Sequence, residues 1–175
     1  MLAAAWALPV AAQTAQLSEL SVSRDDDGVH LSYAVQFELH HNVEDALLRG
    51  VPLHFVADAE LKRRRWYWRD ETLAHASRHW RLAYQPLTRR YRLSLGSLAQ
   101  NHERLADALD VIRRGSGWRI ADPLPPGTDE RYYIDYSFRI DTSQLPGPLQ
   151  LGLEAQSEWT LGVERTVPLA EAWVK

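Results

Sequence analysis

Between Val51 and Leu61 apolar and polar residues alternate almost without a break. Val51, Leu53, Phe55, Ala57, Ala59 and Leu61 fall on one parity, with Pro52, His54, Asp58, Glu60 and Lys62 on the other. Side chains along an extended chain point alternately to opposite faces, so the pattern predicts a long, half-buried strand. At about 3.3 Å per residue such a strand reaches roughly 36 Å. Beyond Leu61 the parity exchanges: Trp66 and Trp68 share a face, with Arg65, Tyr67 and Arg69 opposite. One extra residue near Lys62–Arg64, in a bulge or a tight turn, exchanges faces in this way.

The same period of two recurs along the chain. Leu17, Leu20 and Val22 predict a first strand, and Val29, Leu31, Tyr33, Val35, Phe37 and Leu39 a second. Asp27-Gly28 between them is a hairpin signal, because glycine accepts positive φ. Asn42 is placed to cap a short helix over 43–49, with Gly50 as its stop. The pattern fades over Thr72–Ser77, which predicts a loop. Trp80, Leu82 and Tyr84, then Tyr91, Leu93 and Leu95, resume as strands. Ser97 and Gln100 read as a capping box opening an amphipathic helix near 97–113, with Leu98, Leu105, Ala108, Leu109 and Ile112 as its apolar stripe. Gly115 and Gly117 are read as its stop. Trp118 and Ile120 predict a short strand, Tyr132–Ile140 a long one, and Leu149–Ala155 with Trp159–Val163 a closing strand or bulged pair.

Seven to eight alternating strands without helices between them predict a mainly β fold. That fold is an antiparallel β-sandwich or, alternatively, a partly open barrel. At 175 residues, 45% hydrophobic and 25% charged, the chain suits one globular domain, taken as residues 13–175. Residues 1–12, MLAAAWALPVAA, read as a secretory signal peptide with a small-x-small end at Val10-Ala11-Ala12, and so predict an exported, periplasmic protein. Its basic end is missing, since the first basic residue is Arg24; the signal is truncated or its start lies upstream. No later run approaches the length of a transmembrane helix. The absence of cysteine removes disulfides, thiol catalysis and cysteine metal sites. A net charge of −3 argues against nucleic acid as the partner of the whole domain.

Candidate chemistry concentrates between Lys62 and Arg92, where ten Lys and Arg face only Asp70 and Glu71. Trp66, Trp68, Trp80, Tyr84 and Tyr91 are interleaved with them. Alternation predicts Trp66 and Trp68 packed inward and the arginines solvated outward. The residues offered for binding are Arg65, Arg69, Arg89 and Arg92, whose guanidinium forks suit carboxylates and phosphates. Trp66, Trp68 and Trp80 would line a pocket if their rings gathered in a cleft instead. His75 and His79 lie four apart, but HASRH lacks the glutamate of a zinc-protease helix, so no metal and no cofactor is expected. Asp58/Glu60 and Asp70/Glu71 are the available carboxylate pairs for a hydrolase. No nucleophile elbow or phosphate-cradling glycine loop accompanies them.

Several runs also resemble a known family. They are Ala46-Leu47, Gly50-Val51-Pro52-Leu53, Phe55, Arg65-Trp66-Tyr67-Trp68 and Leu82-x-Tyr84-x-x-Leu87-Thr88-Arg89-x-Tyr91-Arg92. Ala108-Leu109, Trp118, Asp141, Leu145-Pro146-x-Pro148-x-Gln150 and Trp159 continue the match in order. Together, over about residues 17–165, they resemble the proteobacterial family described as domain of unknown function 4390. The resemblance implies an exported protein, often encoded beside a membrane sensor kinase of the nitrogen-regulation type, and a regulatory or accessory role at the periplasmic face. It supplies no catalytic residues.

The resulting expectation is a non-enzymatic periplasmic accessory protein that binds a protein partner at the inner-membrane surface through the basic-aromatic residues and modulates a sensor kinase. The alternative is a carrier of a glycan, lipid or acidic metabolite in a tryptophan-lined pocket, and the third is a hydrolase.

Overall fold

The computed structural model describes residues 15–125, 131–145 and 159–169. In chain order the elements are β1 (Gln16–Asp25), β2 (Gly28–Gln36), α1 (His41–Leu48), β3 (Leu53–Arg63), β4 (Glu71–Gln85), β5 (Arg90–Leu95) and β6 (Leu98–His102). They are followed by α2 (Leu105–Arg113), β7 (Arg114–Ala121), β8 (Tyr132–Ile140) and β9 (Gly162–Pro168). Two antiparallel sheets result: a small one ordered β1–β2–β7 and a large one ordered β6–β5–β4–β3–β8–β9. They pack face to face as a β-sandwich, and the described strands close no barrel.

Local chemistry sets the first hairpin. The Asp25 carboxylate accepts from the backbone N–H groups of Asp27 and Gly28 at 2.9 and 3.0 Å, an Asx turn. Gly28 is required, because its φ is +149° and an added methyl would overlap the Ala121 carbonyl. Strand β2 then buries Val29, Leu31, Tyr33 and Val35 on one face. Helix α1 is capped by the His40 ring, one residue-pair earlier than predicted, and Gly50 follows its end at φ +97°.

The core lies between the sheets. Phe37 packs with Phe55 and Phe138 at centroid distances of 5.7 and 5.4 Å, and Tyr33 meets Tyr136 at 5.2 Å. Strand β3 is hydrogen-bonded along both edges, to β4 and to β8. Its inward residues Phe55, Ala57, Ala59 and Leu61 are fully buried, as alternation predicted.

Three predictions need correction. Residues 72–77 are not a loop but the first half of β4. Ala74 and Ala76 continue the inward parity of Trp80 and Leu82, opposite Leu61 and Ala59, and methyl groups carry too little apolar signal to mark a strand. Ser97 and Gln100 do not open a helix. Gly96 and Ser97 form a two-residue turn, with Gly96 at φ +56° and Leu95 paired to Leu98, and β6 follows. The helix begins at Leu105, burying Ala108, Leu109 and Ile112 as the stripe predicted, while Leu98 is exposed outside it. Gly115 belongs to β7 rather than to a helix stop; its missing side chain leaves room for the Tyr33 ring.

The described residues form nine strands where seven to eight were predicted. The signal peptide predicted at residues 1–12, the corner predicted at 146–148 and the strand predicted at 149–155 lie outside the described residues. Trp159 and Leu161 are buried, and β9 completes the large sheet against β8.

Candidate functional site

Pairing of β3 with β4 and β8 ends at Arg63, which lies opposite Glu71 on one side and Tyr132 on the other. The register does shift against β4 between Leu61 and Lys62, but the extra residue is Leu73 of β4. Strand β3 itself stays in unbroken register with β8 through Arg63, so the predicted exchange of faces does not occur within β3. Residues 64–70 then leave the sheet as a loop joining β3 to β4.

Contacts hold both arms of this loop. The Arg64 backbone N–H donates to the Arg131 carbonyl at 2.8 Å, and the Arg64 guanidinium lies over the Tyr133 ring at 5.3 Å. The Asp70 carboxylate accepts from the Tyr133 hydroxyl at 2.7 Å and from the Arg65 backbone N–H at 3.2 Å. Arg63 and Arg65 both pair with the Glu71 carboxylate. These bonds hold Asp70 below its ordinary pKa, the Tyr133 hydroxyl acting first and the Arg65 amide second. Glu71 is lowered likewise, by Arg65 and then Arg63.

At the tip stand Trp66, Tyr67 and Trp68, respectively 94%, 66% and 74% exposed. Trp66 and Tyr67 meet edge to face at 5.3 Å, so the rings support each other. This corrects the inward placement of Trp66 and Trp68. Their alternation continues past the last residue with strand partners, and the inner face of β3 is already complete at Leu61.

The proposed pocket of three tryptophans does not form. Trp80 is 3% exposed, opposite Phe55 in the register and 6.5 Å from the Phe138 ring. The four arginines separate as well. Arg65 is half-buried and committed to Glu71, whereas Arg69 is exposed and makes no ion pair among the described residues. Arg92 pairs with Ala83 across β4–β5, and Arg89, at φ +53°, occupies the β4–β5 turn. Ala83 lies twelve residues along β4 from Glu71, about 40 Å, so Arg89 and Arg92 belong to the opposite end of the sandwich.

Sequence reasoning named neither Tyr67 nor Arg64 as a site residue. A signal was present: three consecutive aromatics place rings on both parities, which a half-buried strand does not require.

The outer face of the large sheet holds the carboxylates considered for hydrolysis. Asp58, Glu60, His75, Asp135 and Glu164 border a cleft of about 390 Å³. Lys62 Nζ lies 2.8 Å from both Glu60 and Asp135, which raises its pKa, the Asp135 bond first and the Glu60 bond second. Arg139 donates to Asp58 at 2.6 Å, and His75 stands 3.4 Å from the same carboxylate. Burial alone would raise Asp58, but hydrogen bonds from Ser77 and Arg139 override it and hold the group ionised. It is a charge partner, not a poised acid. His79 contacts the Ser77 hydroxyl at 2.8 Å, and among the described residues no three ligating side chains converge as a metal site would need.

No helix among the described residues is long and apolar enough to cross a membrane. No curated protein and no solved structure matches the chain. A family model, that of a domain of unknown function, DUF4390, matches residues 12–167. The exposed Trp66-Tyr67-Trp68 tip therefore belongs to a chain that is a member of the DUF4390 family.

Proposed function

We propose that this chain is a non-enzymatic accessory protein of the periplasm that works by binding at the outer face of the inner membrane, beside a membrane sensor, with the loop 64–70 as its contact element. One observation carries the reading: Trp66, Tyr67 and Trp68 project into solvent from a loop whose two arms are pinned. Aromatic rings and arginine are the residue types that dominate binding energy at interfaces, and solvent-facing clusters of them on a soluble fold mark contact sites. The export assignment rests on the character of residues 1–12.

The pocket-binding alternative loses its lining once Trp80 is in the core. For the hydrolase alternative, Asp58 is held ionised by its partners and so does not favour the role of a general acid.

The test places a photo-crosslinking residue at position 67 in cells and identifies what is trapped. Trapping at the membrane fraction that disappears in Trp66→Ala/Trp68→Ala supports the reading. Equal trapping by that variant, or none by the parent, overturns it.

A further inference from the structure

Resting on the loop being the contact element, we infer that its occupant is the anionic surface of a lipid bilayer, with the Trp66 and Trp68 indoles at headgroup depth and the Arg64 and Arg69 guanidiniums on lipid phosphates.

Shape favours this occupant. Three adjacent rings stand exposed at the tip of the loop that joins β3 to β4, at one end of the large sheet. Indole and phenol rings are the side chains that settle at the membrane–water boundary, apolar body inward and polar edge outward.

Charge favours it too. The acidic groups of the loop are turned back toward its base: Glu71 is held by Arg63 and Arg65, and Asp70 by the Tyr133 hydroxyl and the Arg65 amide. Arg64 and Arg69, both exposed, make no ion pair among the described residues. From Arg63 to Glu71 four arginines stand against two carboxylates, so the loop carries excess positive charge beside exposed aromatic area, the complement of a phosphate layer over acyl chains.

The full chain is co-sedimented with phosphatidylcholine vesicles and with vesicles of equal parts phosphatidylcholine and phosphatidylglycerol, using brominated acyl chains to quench indole fluorescence. Binding is expected to the anionic vesicles alone, weakening as salt is raised. Arg64→Ala and Arg69→Ala should each weaken it about five-fold. Trp66→Ala/Trp68→Ala should weaken it by at least about ten-fold and abolish the quenching. Trp66, Trp68 and Arg69 face solvent, so those variants should melt like the parent; Arg64→Ala also gives up the contact with the Tyr133 ring, so the Arg69→Ala result decides the charge contribution. No sedimentation of the parent with anionic vesicles, or sedimentation and quenching unchanged in the double-tryptophan variant, would overturn the lipid inference. If, in that case, the crosslinker at position 67 still traps a protein, the binding role stands with a protein occupant; if it traps nothing, both fall.

Discussion

The Tyr133 hydroxyl donates a 2.7 Å hydrogen bond to Asp70 Oδ2, tying strand β8 to the returning arm of the aromatic loop. The same ring lies beneath the Arg64 guanidinium, so one side chain braces both arms. Burial first, and the neighbouring Asp70 charge second, push this hydroxyl up to about 12, so it remains a donor across the working pH range.

The brace has a pH signature. Asp70 titrates lower in the folded chain than in the unfolded one, so its contribution is complete above the ordinary carboxyl range and is lost as pH falls through the lower folded value. The hydrogen-exchange protection factor of the Arg65 amide should hold steady from neutrality down to about pH 4 and drop below that. Asp70→Asn and Tyr133→Phe should show reduced protection at neutral pH. Parent-like protection in both would show that the bond does not order the loop.

Two tryptophans separate the core from the tip. Trp80→Ala removes a buried ring packed beside Phe55 and Phe138 and should cost about 3–5 kcal/mol by urea denaturation. Trp66→Ala removes one from solvent and should cost less than about 0.5 kcal/mol. Equal losses at the two positions would contradict the exposed tip.

Lys62 neutralises two carboxylates that face each other across β3 and β8. Lys62→Met leaves Glu60 and Asp135 opposed and should cost about 1 kcal/mol at neutral pH, a figure already reduced for their partial exposure. The Lys62 pKa is raised on folding, so its own contribution is full below the unfolded value and fades only as pH rises through the folded one. The stability gap between variant and parent should therefore be as large at about pH 8 as at about pH 7. A gap already closing over that interval would reject this account.

Gly115→Ala tests the inter-sheet fit. An added methyl overlaps the Tyr33 ring, which itself packs on Tyr136, so repacking should cost about 1–3 kcal/mol and lower the melting temperature. An unchanged melting temperature would mean that the ring has somewhere else to go.

Much of this architecture was legible in side-chain order. β2, β3 and β8 announce themselves because bulky residues alternate with polar ones over their whole length, and Asp25–Gly28 carries its own turn chemistry. The first half of β4 was hidden because its inward residues are alanines, whose pairing comes from backbone bonds that composition does not record. Gly96-Ser97 carried two local signals at once, a hairpin turn and a helix cap, and the alternating run of β5 decides between them in favour of the turn. The tip was misplaced for the opposite reason. Trp66 and Trp68 keep the strand's period after the strand has ended, and only the location of the last ladder partner, a non-local fact, separates a buried ring from a solvated one.

Strand β3 is laddered on both sides and covered on its inner face. A protrusion rooted there inherits that rigidity: its orientation is established when the chain folds rather than when a target arrives. Encounter then approaches rigid-body docking, with little reordering at the contact. Selectivity in such a device resides in shape and charge at first touch, and its tuning by substitution should register chiefly in how long the complex lasts.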